Sequence, residues 1–77
     1  MMWEWDCSVQ GRSGAGACHD EGRALRAAEA WMREHRATAA TVVPVRLDVV
    51  ELAYVPAGRA LEAAVCGGQI TWRRAPT

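Results

Sequence analysis

Asp20-Glu21-Gly22-Arg23-Ala24-Leu25-Arg26-Ala27-Ala28-Glu29-Ala30-Trp31-Met32-Arg33-Glu34-His35-Arg36 has the pattern of an amphipathic helix. At about 100° per residue, Ala24, Leu25, Ala27, Ala28, Trp31, Met32 and His35 share one arc, while Arg23, Arg26, Glu29, Arg33, Glu34 and Arg36 share the opposite one. Asp20 is placed to accept the first free backbone N–H groups, and Glu21 faces the positive end of the helix dipole. His35 and Arg36 close the last turn, where cations suit the negative end. The spacing predicts a helix over 21–37 whose apolar side must lie on a sheet.

Strands are expected on both sides of it. Trp3, Trp5, Cys7 and Val9 alternate with Glu4, Asp6, Ser8 and Gln10, the period-two signature of a half-buried strand. Gly11-Arg12-Ser13-Gly14 then offers a tight turn at Arg12-Ser13, which would set Cys7 opposite Cys18 in a hairpin. After the helix, Val43, Val45, Leu47 and Val49 alternate with Pro44, Arg46 and Asp48, and the phase is lost near Val50-Glu51, where a bulge or break is expected. Pro44 lacks an N–H and favours an edge strand or a strand start. Residues 59–66 hold helix formers, yet they can also pair with Gln69 to Arg74 across Gly67-Gly68. The hairpin is preferred because the strand around Ile70-Thr71-Trp72 needs a neighbour; Val65 then faces Ile70 and Ala63 faces Trp72. The fold class is α+β: an antiparallel sheet, built from an N-terminal hairpin and strands of the C-terminal half, packed on one long helix.

A chain of 77 residues holds one domain and one core, residues 1–77. A domain this small buries only about 60% of its unfolded surface and is marginally stable alone. The net charge is zero, so no global field draws a polyanion or a membrane surface. All nine basic residues are arginine, a bias that follows GC-rich codon usage and does not argue for phosphate binding. No run approaches the ~18 apolar residues of a membrane span, and Met1-Met2-Trp3-Glu4-Trp5-Asp6 is acidic where a secretory leader is basic. These features predict a cytoplasmic protein with its three cysteines reduced.

Each candidate site has a simpler structural reading. Gly11, Gly14 and Gly16 stand between a strand and a helix, as phosphate loops do, but Ala17 and Cys18 replace the Lys and Ser/Thr that would hold the phosphates and magnesium. Cys7, Cys18 and Cys66 with His19 or His35 are zinc-ligand types without the Cys-x-x-Cys spacing that makes such a reading strong. Cys18-His19-Asp20 has the residue types of nucleophile, base and orienting acid, yet sequence neighbours diverge where a strand gives way to a helix. A thiol-reactive protein centred on Cys18 is therefore a minor alternative. His35 is expected to be hydrogen-bonded at the helix end rather than to act as a ligand or pH switch. No cofactor, metal or catalytic residue is assigned.

The four tryptophans are the main functional hint, because a domain this small can hardly hide four indoles and exposed aromatics near a sheet edge mark association surfaces. Trp3, Trp5 and Trp72, with Arg26 and Arg33 of the helix, form the expected interaction surface. The first reading is a non-enzymatic binding or regulatory module acting through protein–protein contacts, self-association into a homodimer included. The alternative is a nucleic-acid-binding regulator using the arginine-lined helix face. Trp3-x-Trp5-x-Cys7, the glycine-rich turn and the Ala/Arg helix around Trp31 together resemble short uncharacterised proteins of high-GC actinobacterial genomes and their mobile elements; the resemblance implies no activity and no site residues.

Overall fold

The computed structural model describes residues 1–76. It contains β1 (Met2–Val9), β2 (Arg12–Cys18), α1 (Glu21–His35), β3 (Ala39–Asp48), β4 (Ala53–Pro56), β5 (Leu61–Cys66) and β6 (Gln69–Arg74). All pairings are antiparallel, in the order β2-β1-β3-β5-β6, with β4 attached to β3 on the side of β5, beyond the point where β5 stops and overlapping β1 at Val45 alone. The α+β architecture read from the sequence is the one observed, with a single helix lying across one face of a six-stranded sheet.

α1 begins where the sequence indicated: Asp20 is extended, and its carboxylate accepts from the Arg23 N–H at 3.0 Å, a cap worth about 1 kcal/mol. It ends two residues earlier than the expected 37, because Arg36 turns left-handed (φ 56°) and the chain closes with Ala37 N–H donating to Met32 O at 3.0 Å. Ala24, Ala28 and Met32 are buried against the sheet, and Leu25, Ala27, Trp31 and His35 flank them half-buried. Small residues along this seam let the helix axis approach the strands closely.

The sheet face beneath the helix carries Trp3, Trp5 and Cys7 of β1, Ala40 and Val42 of β3, and Leu61 and Ala63 of β5, because Trp5 pairs with Val42, Cys7 with Ala40 and Val42 with Leu61. The opposite face bears the row Ala15, Asp6, Thr41, Glu62, Arg73, which is polar apart from one alanine. One layer of helix on one layer of sheet thus yields one core, with the other sheet face left to water.

The N-terminal hairpin departs from the sequence expectation. Its turn is Gln10-Gly11, both at positive φ (41° and 82°), the primed type that matches strand twist. Cys7 therefore faces Gly14, and Cys18 faces Trp3. The register slides by an even number of residues, so every side chain keeps its predicted face. Gly14 and Gly16 are strand residues rather than turn residues. A Cβ at Gly14 would lie 2.5 Å from Cδ1 and Cε2 of Trp31, and one at Gly16 would lie 2.5 Å from Nε1 of Trp5. Two indoles occupy the space that side chains would need, which is the usual meaning of glycine inside a strand.

Pro44 lies mid-strand, neither at a strand start nor on a sheet edge. It is tolerated because the neighbour of β3 changes there, from β5 (ending opposite Val42) to β4 (beginning opposite Val45). Pro44 O accepts from the Ala57 N–H at 2.8 Å, and N–H and C=O of a strand residue point the same way, so the missing donor falls in this gap. The C-terminal hairpin turns at Gly67-Gly68 with Val65 facing Ile70 and Ala63 facing Trp72, as read from the sequence.

Candidate functional site

The phase loss near Val50-Glu51 is neither a bulge nor a break in one strand; it is the turn of a hairpin joining β3 to β4. Asp48 Oδ1 accepts from the N–H groups of Val50 (2.9 Å) and Glu51 (3.2 Å), which fixes the turn, and Leu52 closes it at φ 53°. The root is held by Val45, 4% exposed, which pairs with Met2 on one side and Pro56 on the other. Beyond that root, residues 46–55 form a two-stranded ribbon whose only sheet partner is itself, so the molecule measures 43 Å along its longest axis and 25 × 19 Å across.

This arm is apolar and bare. Leu47 (53%), Val49 (74%), Val50 (87%), Leu52 (82%) and Tyr54 (53%) are exposed, and outside the arm only Met1 and Val65 among the described residues join them as exposed large hydrophobics. Leu52 adds a conformational penalty, since a γ-branched residue in the left-handed region costs about 1 kcal/mol relative to its ordinary conformation. The arm thus combines a left-handed leucine with exposed apolar area.

The residues singled out from the sequence lie elsewhere. Trp3, Trp5 and Trp72 are half-buried against the core under α1, and Trp72 Nε1 donates to Glu29 Oε2 at 3.3 Å. Arg26 and Arg33 are exposed on the helix, Arg33 in an ion pair with Glu29 at 3.3 Å. From Asp20 to Arg36 the charges are Asp20, Glu21, Glu29 and Glu34 against Arg23, Arg26, Arg33 and Arg36, four of each sign, so the helix as a whole is neutral, while its outward face, with Arg23, Arg26, Arg33 and Arg36 against Glu29 and Glu34, keeps an excess of two positive charges. His35 stacks on Trp31 (ring centroids 4.1 Å apart, planes at 23°) with Nδ1 3.1 Å from Trp31 O, an arrangement in which the ring must be the donor.

The chemistry-bearing residues do not converge. Cys18 faces Trp3, four residues along β1 from the partner of Gly14, Cys7; that is roughly 13 Å at strand rise, too far for a disulfide. Cys66 stands exposed at the end of β5. The Asp20 carboxylate is occupied in capping α1, and no hydrogen bond joins Cys18, His19 and Asp20 among the described residues. No group of three His, Cys, Asp or Glu among the described residues is arranged to hold a metal ion. No described helix is long and apolar enough to cross a membrane.

Burial, and secondarily the neighbouring Asp6 carboxylate, raises the Cys7 thiol above the ordinary 9.0. Its Sγ lies 3.8 Å from Ala28 O, to which the neutral thiol donates. The folded chain therefore holds this proton more tightly than the unfolded chain, and stability is lost as pH rises above about 9. Urea unfolding above pH 9 should show a fall in stability that is smaller in Cys7→Ala; equal falls would remove Cys7 as its source. Native thiol labelling should reach exposed Cys66 first and Cys7 last.

No protein-family model matches this chain, and no curated protein or solved structure matches it either. Function must therefore be argued from the surface itself.

Proposed function

We propose that the protein is a small non-enzymatic binding or regulatory module, working through protein–protein contacts made by the β3–β4 arm. The observation that carries this reading is the set of five large apolar side chains, 53–87% exposed, on a ribbon that projects from an otherwise packed domain. An isolated two-stranded ribbon is marginal in water, and an apolar one gains order by docking. Large apolar side chains at a protruding tip can seat in a partner's pocket and carry most of an interface's energy. The same five side chains contribute nothing to the core, so the fold does not account for them. The nucleic-acid alternative has less support, because the helix face meant to carry it has an excess of only two positive charges, Arg33 on it is paired with Glu29, and the chain as a whole is neutral.

The test places a photo-crosslinking residue at Val50, 87% exposed, and in a separate variant at Glu34 on the solvated side of α1. Irradiation in the cells that make the protein should give discrete protein adducts from position 50 and none from position 34. No adduct from position 50, or the same adducts from both, would remove the arm as the contact element.

A further inference from the structure

We propose that the arm's partner is a second copy of this chain: each arm seats in the groove between the C-terminal end of α1 and the β5–β6 hairpin of the other copy, giving a closed two-fold dimer. This inference rests on the reading of the arm as the contact element and adds the identity of what it contacts.

Two apolar surfaces are left uncovered, and they are complementary in shape. The arm is convex. The second is a groove of about 300 Å³, with Met32 and Ala37 in its floor, Val65 and Ile70 on one wall, and Arg33 and Arg36 on its rim. Val65, 40% exposed, is the large apolar residue other than Met1 that stands bare outside the arm. An arm cannot reach the groove of its own chain. Ala39, at the start of β3, pairs with Ala64 beside the groove, and Asp48 lies nine residues further along the same extended strand, about 30 Å away at strand rise. Arm and groove stand at opposite ends of one strand, so only another molecule can bring them together.

Charge favours the same pairing. The arm carries Asp48 and Glu51 towards its tip against Arg46 near its root, whereas the rim carries Arg33, paired with Glu29, and Arg36, which is exposed and makes no ion pair among the described residues. Two arms packed tip to tip would instead set Glu51 against its own copy. Rim charges of this kind select the partner and its orientation more than they add affinity. A closed pair has both molecules side by side with their long axes antiparallel, each arm in the other's groove, the self-complementary arrangement of a two-fold dimer.

The full chain should sediment at twice its 8.4 kDa mass over the upper part of a wide concentration series. Val50→Asp on the arm and Val65→Asp in the groove should each weaken the dimer about 30-fold or more, the effect of losing one anchoring side chain. Val50 is 87% exposed in a turn, so Val50→Asp should leave the urea midpoint of the monomer unmoved; Val65→Asp, at a position 40% exposed in β5, should lower it slightly while the monomer stays folded. Leu52→Asn should also weaken the dimer while leaving the monomer at least as stable, because asparagine accepts the left-handed backbone. Glu51→Arg and Arg36→Glu should each weaken association, and the two together should recover most of it. A monomer at every concentration, a mass that grows past the dimer, or a dimer that resists Val65→Asp would overturn the inference. Crosslinks from position 50 to other proteins alone would leave the arm as a contact element and remove only the second copy as its partner; no crosslink of any kind would remove both.

Discussion

Gly14→Val is expected to destabilise the chain by about 4 kcal/mol or more. Strand propensity alone predicts the opposite sign, since valine is favoured in strands and glycine is not. The deciding fact is the Trp31 indole, which lies where the new side chain would project, with Cδ1 and Cε2 both 2.5 Å from an ideal Cβ. Neighbouring Trp5 crowds Gly16 in the same way, so β2 offers no slack along its helix-facing side. Trp31 must then be displaced, losing its stack on His35 and its contact with the core. Overpacking costs about 1–3 kcal/mol and expulsion of a packed tryptophan about 3–5. A domain of this length is held by roughly 4–11 kcal/mol in all. Urea unfolding followed by circular dichroism should show a loss of about 4 kcal/mol or more for Gly14→Val. Gly14→Ala should lose about half of that, and Ala15→Val on the solvated face close to nothing. Gly14→Ala combined with Trp31→Leu should lose less than the sum of the two singles. A Gly14→Val variant within 1 kcal/mol of the parent would mean that the indole is free to move aside.

The same glycines mark the boundary of what the sequence could reveal. The helix was legible because its cap, its period and its charged face are all local, and each agrees with the others. The Gly67-Gly68 hairpin was legible because the turn and the apolar pairs it creates lie within a dozen residues. In the N-terminal hairpin, glycine is ambiguous: it either makes a turn or makes room. Making room at Gly14 depends on Trp31, seventeen residues downstream, which no local pattern could supply. The strand faces survived because the register error was even, whereas the pairing of Cys7 with Cys18 did not.

The arm was missed for a different reason. Val43, Val45, Leu47 and Val49 continue one alternation, and alternation alone does not say whether a second layer covers the strand. Lengths do. Fifteen helical residues span about 22 Å and ten strand residues about 33 Å, so α1 cannot roof the whole of β3. The far third of β3 must be covered by something other than this helix or stay bare, and its apolar residues stay bare. The tryptophans drew notice because they are large and rare, yet three strands and a helix meet around them. The smaller aliphatics on the arm are the ones left facing water.

Met32→Ala should remove about 3–4 kcal/mol, the second large loss expected in this chain. Met32 is 1% exposed and belongs to a core in which five of the nine buried residues are alanines, so few neighbours have atoms to swing into the space it vacates. Truncation of a buried methionine spans about 2–5 kcal/mol, and the loss is greater where the surroundings cannot collapse. Alanine's better helix propensity offsets only a few tenths of this. Met32→Leu, which conserves volume, should lose less than about 1.5 kcal/mol. Because Met32 also floors the groove proposed to receive the arm, Met32→Ala should weaken dimerisation as well, by deepening the seat under the incoming side chain. Stability is read from urea unfolding of the dilute monomer and association from sedimentation of the folded chain, so the two effects separate. If Met32→Ala kept full stability, the seam between α1 and the sheet would not be the main support of this fold.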